Sequence, residues 1–174
     1  MSDGGALIAR VLGVDPGPTF TGWALLDFTI AASPVWVMGG TCDNEIGALL
    51  DLLSPNPLRP DMRPDLVCVE RPRAMHNPMA NVQLMATAWA GGVIVGHAEA
   101  RGFRVCELGQ NEWRVALVGR SKRGDNVDHK VKAALLAHVR QLPNRSTVHA
   151  RDAAGVALIG HRRIRQGGIG GPRG

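Results

Sequence analysis

Four residues in three separate stretches carry the chemistry this sequence offers: Asp15 in "VLGVDPGPTFTGWALLD", Glu70 at the end of "DLVCVE", and His149 with Asp152 in "STVHARDAAGVALIGHRR". Asp15 and Glu70 each follow an apolar run with the look of a buried strand. If those strands lie side by side and parallel, their ends are about 5 Å apart and two carboxylates share one edge of a sheet. Such a pair repels unless it shares a proton or a divalent cation. His149 and Asp152 are spaced to project from one face of a helix. Docked beside the strand ends, they complete a set of oxygen ligands and one imidazole that suits Mg²⁺, with Mn²⁺ as a substitute. Taken one at a time, each has a plainer reading. Asp15 can open a Pro-Gly turn, Glu70 can pair with a neighbouring arginine, and an acid in the first turn of a helix favours its dipole.

The elements that must position these groups follow from the hydrophobic pattern. Ala6–Val14, Phe20–Leu26 and Val35–Met38 read as three strands, Thr41–Leu53 as a short helix and Asp65–Glu70 as a fourth strand whose continuous apolar character fits burial on both faces. "HNPMANVQLMATAWAGGVIVGHAEARG" opens with Asn77 as N-cap and Pro78 at the first helical position and is stopped by Gly102, which predicts a long, largely buried helix. "FRVCEL" supplies a fifth strand. "QNEWRVALVG" and "NVDHKVKAALLAHVRQL" read as helices joined by the basic turn "RSKRGD", and the last helix is capped by Ser146 or Thr147. Strands alternating with helices in this order predict an α/β layered domain with helices on both faces of a mixed sheet.

A chain of 174 residues with 45% apolar composition suits one domain with a sizeable core. The expected division is a flexible N-terminus over residues 1–7, the domain over 8–163 and a basic, Gly-rich tail over 164–174 without stable structure of its own. The formal charge of +5 and a pI near 9.9, with arginines clustered between 114 and 123 and in the tail, favour a polyanionic partner. Cys42, Cys68 and Cys106 are widely spaced and set in apolar stretches. They read as thiols in a reducing compartment, and neither as a disulfide framework nor as a Cys-x-x-Cys metal site. No apolar run reaches the roughly 18 residues of a membrane span, and the N-terminus lacks a secretion signal, so a cytoplasmic protein is expected.

The ordered set "GVDPGPTFTGWALL", "DLVCVERPRAMHNPMANVQLMATAWAGGVIVGHAEARG", "NEWRVALVG" and "HARDAAGVALIGH" resembles the RuvC family of Holliday junction resolvases, with the likeness running over about residues 9 to 162. The resemblance implies an RNase H-like fold, a mixed five-stranded sheet of order 3-2-1-4-5 with strand 2 antiparallel. It also implies a homodimeric, Mg²⁺-dependent endonuclease that nicks four-way junction DNA symmetrically, with two ions per active site during catalysis and no small-molecule cofactor. The long apolar helix at residues 79–100 is the candidate dimer interface, with burial wholly within one subunit as the alternative. By the family pattern Asp15, Glu70 and Asp152 match acidic metal ligands, and His149 stands where members carry an acid or a histidine. Arg114 and Lys122 or Arg123 fall near basic positions around the active site and the DNA backbone. Where members carry an aromatic shortly after the fourth-strand Glu, this chain has "RPRAMH", in which Arg73 or Met75 would substitute by guanidinium stacking or apolar wedging. Three other readings stand beside it. The motif "DPGPTFTG" also looks like the first phosphate loop of actin-like sugar kinases, although this chain is too short for their paired domains and has no second Gly-rich loop. The others are a catalytically inactive nucleic-acid-binding module and a nuclease of the same superfamily acting on RNA hybrids or other branched DNA.

Overall fold

A computed structural model describes residues 8–29, 33–54, 62–72 and 78–167. Five strands, β1 (Arg10–Pro16), β2 (Phe20–Asp27), β3 (Val35–Asp43), β4 (Leu66–Arg71) and β5 (Arg104–Gly109), form one sheet of order β3-β2-β1-β4-β5. β2 is antiparallel to β1 and β3, whereas β4 is parallel to both β1 and β5. The expected strand order and directions are therefore those observed.

Side chains alternate across the pleat, so the sheet has two apolar faces, each covered by helices. On one face Val11, Ala24, Leu26, Leu66, Cys68 and Leu108 pack with α3 (Gln110–Val118), α4 (Val127–His138) and α5 (Val148–Arg165). On the other, Leu12, Val14, Leu25, Val67 and Val69 pack with α1 (Ile46–Asp51) and α2 (Pro78–Ala100). The helix ends carry chemical signals. Asn126 accepts from the main chain of His129 at 3.0 Å, Thr147 caps α5 by accepting from Ala150 at 3.1 Å, and Gly102 leaves α2 with a φ of 73°.

Several boundaries differ from expectation. β1 runs through Asp15 to Pro16, because Asp15 pairs with Gly22 and Pro16 with Thr21 across the hairpin, so the carboxylate lies within the strand. β3 continues through Thr41–Asp43, where pairing with β2 outweighs the weak pattern of "GGTCD", and α1 is correspondingly shorter than the expected Thr41–Leu53. α4 stops at His138, and the chain turns extended there to exchange main-chain hydrogen bonds with Pro34 and Trp36 through Arg140. α5 carries on to Arg165, past the end of the stretch expected to form the last helix. The segments 1–7 and 168–174 and the loop residues Arg73, Met75 and Asn77 lie outside the described residues.

α2 has two expected environments, the interior of one subunit and a dimer interface; within this chain it buries Ala90, Gly91, Ile94 and Ala98 and leaves Val82 and Met85 each 72% and Trp89 46% exposed. A helix apolar around most of its circumference shows that something covers it, but not whether the cover belongs to the same chain. Among the described residues no helix is long and apolar enough to cross a membrane.

Candidate active site at the carboxyl ends of the parallel strands

The parallel register between β1 and β4 ends at Val14 opposite Val69, so Asp15 and Glu70, next along each strand, stand side by side. Both are 7% exposed. Period-two alternation puts them on the face that receives α5. That helix can approach so closely because glycines face it. A Cβ on Gly13 would fall on the carbonyl oxygen of Ala153, and one on Gly22 would fall on the main chain of His149. The first turns of α5 are thereby laid over the end of the sheet, bringing His149 and Asp152, the latter 4% exposed, to the two strand carboxylates. Asn44 braces the turn beyond Asp15. It donates to the Gly17 carbonyl at 2.8 Å and accepts from the Thr21 hydroxyl at 2.7 Å.

Each acid has one short contact. Asp15 Oδ2 lies 2.9 Å from His149 Nδ1, Trp113 Nε1 donates to Glu70 Oε2 at 2.7 Å, and an Arg114 Nη2 donates to Asp152 Oδ2 at 2.6 Å. Burial, followed by repulsion from Asp15, pushes Glu70 up to about 7, against the pull of Trp113 and Arg114. Burial likewise raises Asp152 to about 6, although the Arg114 guanidinium opposes it. His149 is raised, chiefly by its hydrogen bond to Asp15. Arg114 Nε is buried with no hydrogen-bond partner among the described residues.

The four expected site residues thus meet at one edge, but not as a preassembled ligand set. Among the described residues, no three His, Cys, Asp or Glu side chains are gathered closely enough to hold a metal ion. Two of the carboxylates instead face a cationic or imidazole partner, Asp15 with His149 and Asp152 with Arg114. The donor chemistry nevertheless fits a hard divalent cation, since three buried carboxylates share the edge and two are pushed toward their neutral forms. Asp15, Glu70 and Asp152 would hold it, with His149 beside them, once Asp152 exchanged its guanidinium partner for the ion.

Lys122 and Arg123 lie exposed in the turn between α3 and α4, where Asp125 accepts from the Lys122 main chain at 2.7 Å. Neither side chain hydrogen-bonds to another described residue. Arg73 lies outside the described residues. The residue that sequence reasoning missed is Trp113. Its neighbour Arg114 stands near a basic position implied by the family resemblance, while a tryptophan in a short amphipathic helix reads as core, and only the register of α3 against β4 reveals its acceptor.

The sheet order and the helices on both faces define an α/β fold of the RNase H-like kind. It superposes on the Thermus thermophilus RuvC structure in complex with Holliday junction substrate with a TM-score of 0.70 at 21% identity, covering 92% of this chain and 97% of that one. The yeast mitochondrial Holliday junction resolvase follows at 0.56 and 14% identity, covering 91% and 80%. No family model matches the sequence. The crossover junction endodeoxyribonuclease RuvC of Thermobifida fusca is 31% identical over 155 residues, which are 86% of this chain and 82% of the relative. The chain belongs to the RuvC family. The Rhodococcus opacus RuvC is 36% identical over 116 residues, 63% of this chain, and the chain spans 60% of the length of the two Rhodococcus relatives it matches.

Proposed function

We propose that this protein is a structure-selective DNA endonuclease that resolves four-way junctions by paired symmetric nicks through metal-dependent phosphodiester hydrolysis. The observation that carries this reading is the convergence of Asp15, Glu70 and Asp152, three buried carboxylates from three elements, in a chain of the RuvC family. Asp15, Glu70 and Asp152 would hold Mg²⁺, or Mn²⁺ in its place, with two ions per site during catalysis. Divalent ions bound there supply electrostatic activation of water near neutral pH and stabilisation of the departing 3′ oxygen. His149, half-exposed and hydrogen-bonded to Asp15, is suited to take up or return a proton at its ring. Arg114, whose Nε lacks a partner among the described residues, is suited to a phosphate oxygen once Asp152 turns to the ion.

Lys122, Arg123 and Arg73 would contact the DNA backbone, giving affinity that falls steeply with salt. Symmetric nicking needs two sites related by a two-fold axis, which a homodimer provides. The exposed stripe Val82, Met85 and Trp89 on α2 supports that assembly, because an uncovered apolar helix face of this kind marks a protein interface. The reading invokes no small-molecule cofactor and no membrane, and places the protein in the cytoplasm.

The test is a nicking assay on a synthetic junction with a mobile core, in Mg²⁺ and in Mn²⁺, beside linear duplex, flap and RNA-hybrid substrates. Paired nicks confined to the junction, falling at least about 100-fold with Asp15→Asn, are expected. A junction that is bound but left intact in both metals would mean a binding module. Preference for the flap or the hybrid would mean a different nuclease.

A further inference from the structure

The Trp113–Glu70 contact has more in it than a satisfied core tryptophan requires. Trp113 is fully buried, and its indole nitrogen is a donor only, so its hydrogen bond at 2.7 Å favours the carboxylate form of Glu70 and ties down Oε2, leaving Oε1 for another partner. The ring cannot drift away from that position. It lies against α5 at Gly155, where an added Cβ would come within 2.6 Å of the six-membered ring. The Arg114 guanidinium also sits over the indole, 5.2 Å from its centroid, and reaches Asp152. The consecutive pair Trp113–Arg114 therefore holds two of the three acids from one helix.

We infer that Trp113 is a positioning residue for divalent-metal binding: its indole N–H fixes the Glu70 carboxylate in the orientation from which it ligates the ion. This rests on the proposed metal-dependent site and adds to it the group that preorganises one ligand. An outer partner that orients a ligating carboxylate typically contributes 10- to 100-fold to metal affinity.

The experiment measures Mn²⁺ affinity by titration calorimetry at fixed pH, with thermal denaturation alongside. Two variants remove the donor: Trp113→Phe, and replacement of Trp113 by 3-benzothienylalanine, which keeps the bicyclic shape and loses only the N–H. The second guards against unfolding caused by the cavity that Phe leaves. The expected result is at least a tenfold loss of Mn²⁺ affinity for the benzothienyl protein, with cooperative melting retained. In a Glu70→Gln background the same replacement should change affinity by less than about twofold, because the carboxylate it orients is gone. If the benzothienyl protein binds Mn²⁺ as the parent does while Glu70→Gln weakens binding, Trp113 is only a core residue and the inference is overturned with the site reading intact. If Glu70→Gln itself leaves Mn²⁺ affinity unchanged, Glu70 is not a ligand and both readings fall.

Discussion

Helices α5 and α2 lie on opposite faces of the same sheet and are bedded in opposite ways. From Asp152 to His161 every residue of α5 is buried, and the helix sits so low that Gly13, Gly22 and Gly160 meet their neighbours where a side chain would begin. α2 touches the sheet through a few small or branched residues and turns Val82, Met85 and Trp89 outward. Gly91 and Gly92 illustrate the difference within α2 itself: a Cβ on the first would be 3.4 Å from Pro16, and one on the second would meet nothing within 4 Å. The proposed roles fit that difference: ligands on α5 would need a helix fixed to tenths of an ångström, whereas a partner on α2 would need its apolar face free. Fully burying a side chain of this kind contributes about 1.5–3 kcal/mol, from which the cost of association has to be subtracted.

The largest effect is expected where α5 closely approaches the sheet. Gly13→Val puts a branched side chain into the Ala153 main chain and should cost about 3 kcal/mol or more, seen as loss of soluble, cooperatively unfolding protein in denaturant titrations. The matched change Gly92→Ala, on the open side of α2, should be neutral or stabilise by about 0.5–1 kcal/mol. Equal effects at the two glycines would erase the distinction drawn between the helices.

The next test addresses the outward stripe. Met85→Asp together with Trp89→Asp should leave the melting temperature of the fold nearly unchanged and weaken self-association about 100-fold, a shift from dimer to monomer read by light scattering across a dilution series. A parent protein already monomeric at high concentration would remove α2 as an interface.

A smaller effect sharpens the account of the α5 end. Glu70 rises from the ordinary 4.5 to about 7 and Asp152 from 3.8 to about 6, so their contributions to stability are full below pH 4 and are lost as pH climbs through 6 and 7. His149, raised by Asp15, acts in the same direction, since its stabilisation also disappears as pH passes its shifted value. Metal-free protein should therefore melt a few degrees lower at pH 8 than at pH 5.5. Asp15→Asn should flatten that slope by removing one source of repulsion. A melting temperature that rises with pH would contradict the repulsive edge.

Much of this was legible before folding was considered in three dimensions. The apolar runs around Asp15 and Glu70 are plain in the sequence, and a crossover between them permits parallel neighbours, which is the arrangement that brings the two carboxylates together in the sheet. The start of α1 was misplaced because "GGTCD" has neither alternation nor helical period, and only pairing with β2 makes it strand. For α2 the composition records apolarity without recording whose surface meets it, so burial within one subunit and burial in a dimer interface read alike in the sequence. Trp113 was passed over because no spacing rule links residue 113 to residue 70.

By itself, then, the sequence determined the elements, their order, the acidic edge and the basic charge, all of which arise from local period, capping and the short list of permitted connections. Tertiary structure alone decided which nitrogen meets which carboxylate, how deeply α5 is seated and which face of α2 stays bare. Those features depend on the absence of a Cβ at Gly13 and Gly22 and on packing between residues far apart in the chain, and contact at that precision exists only once the layers have closed.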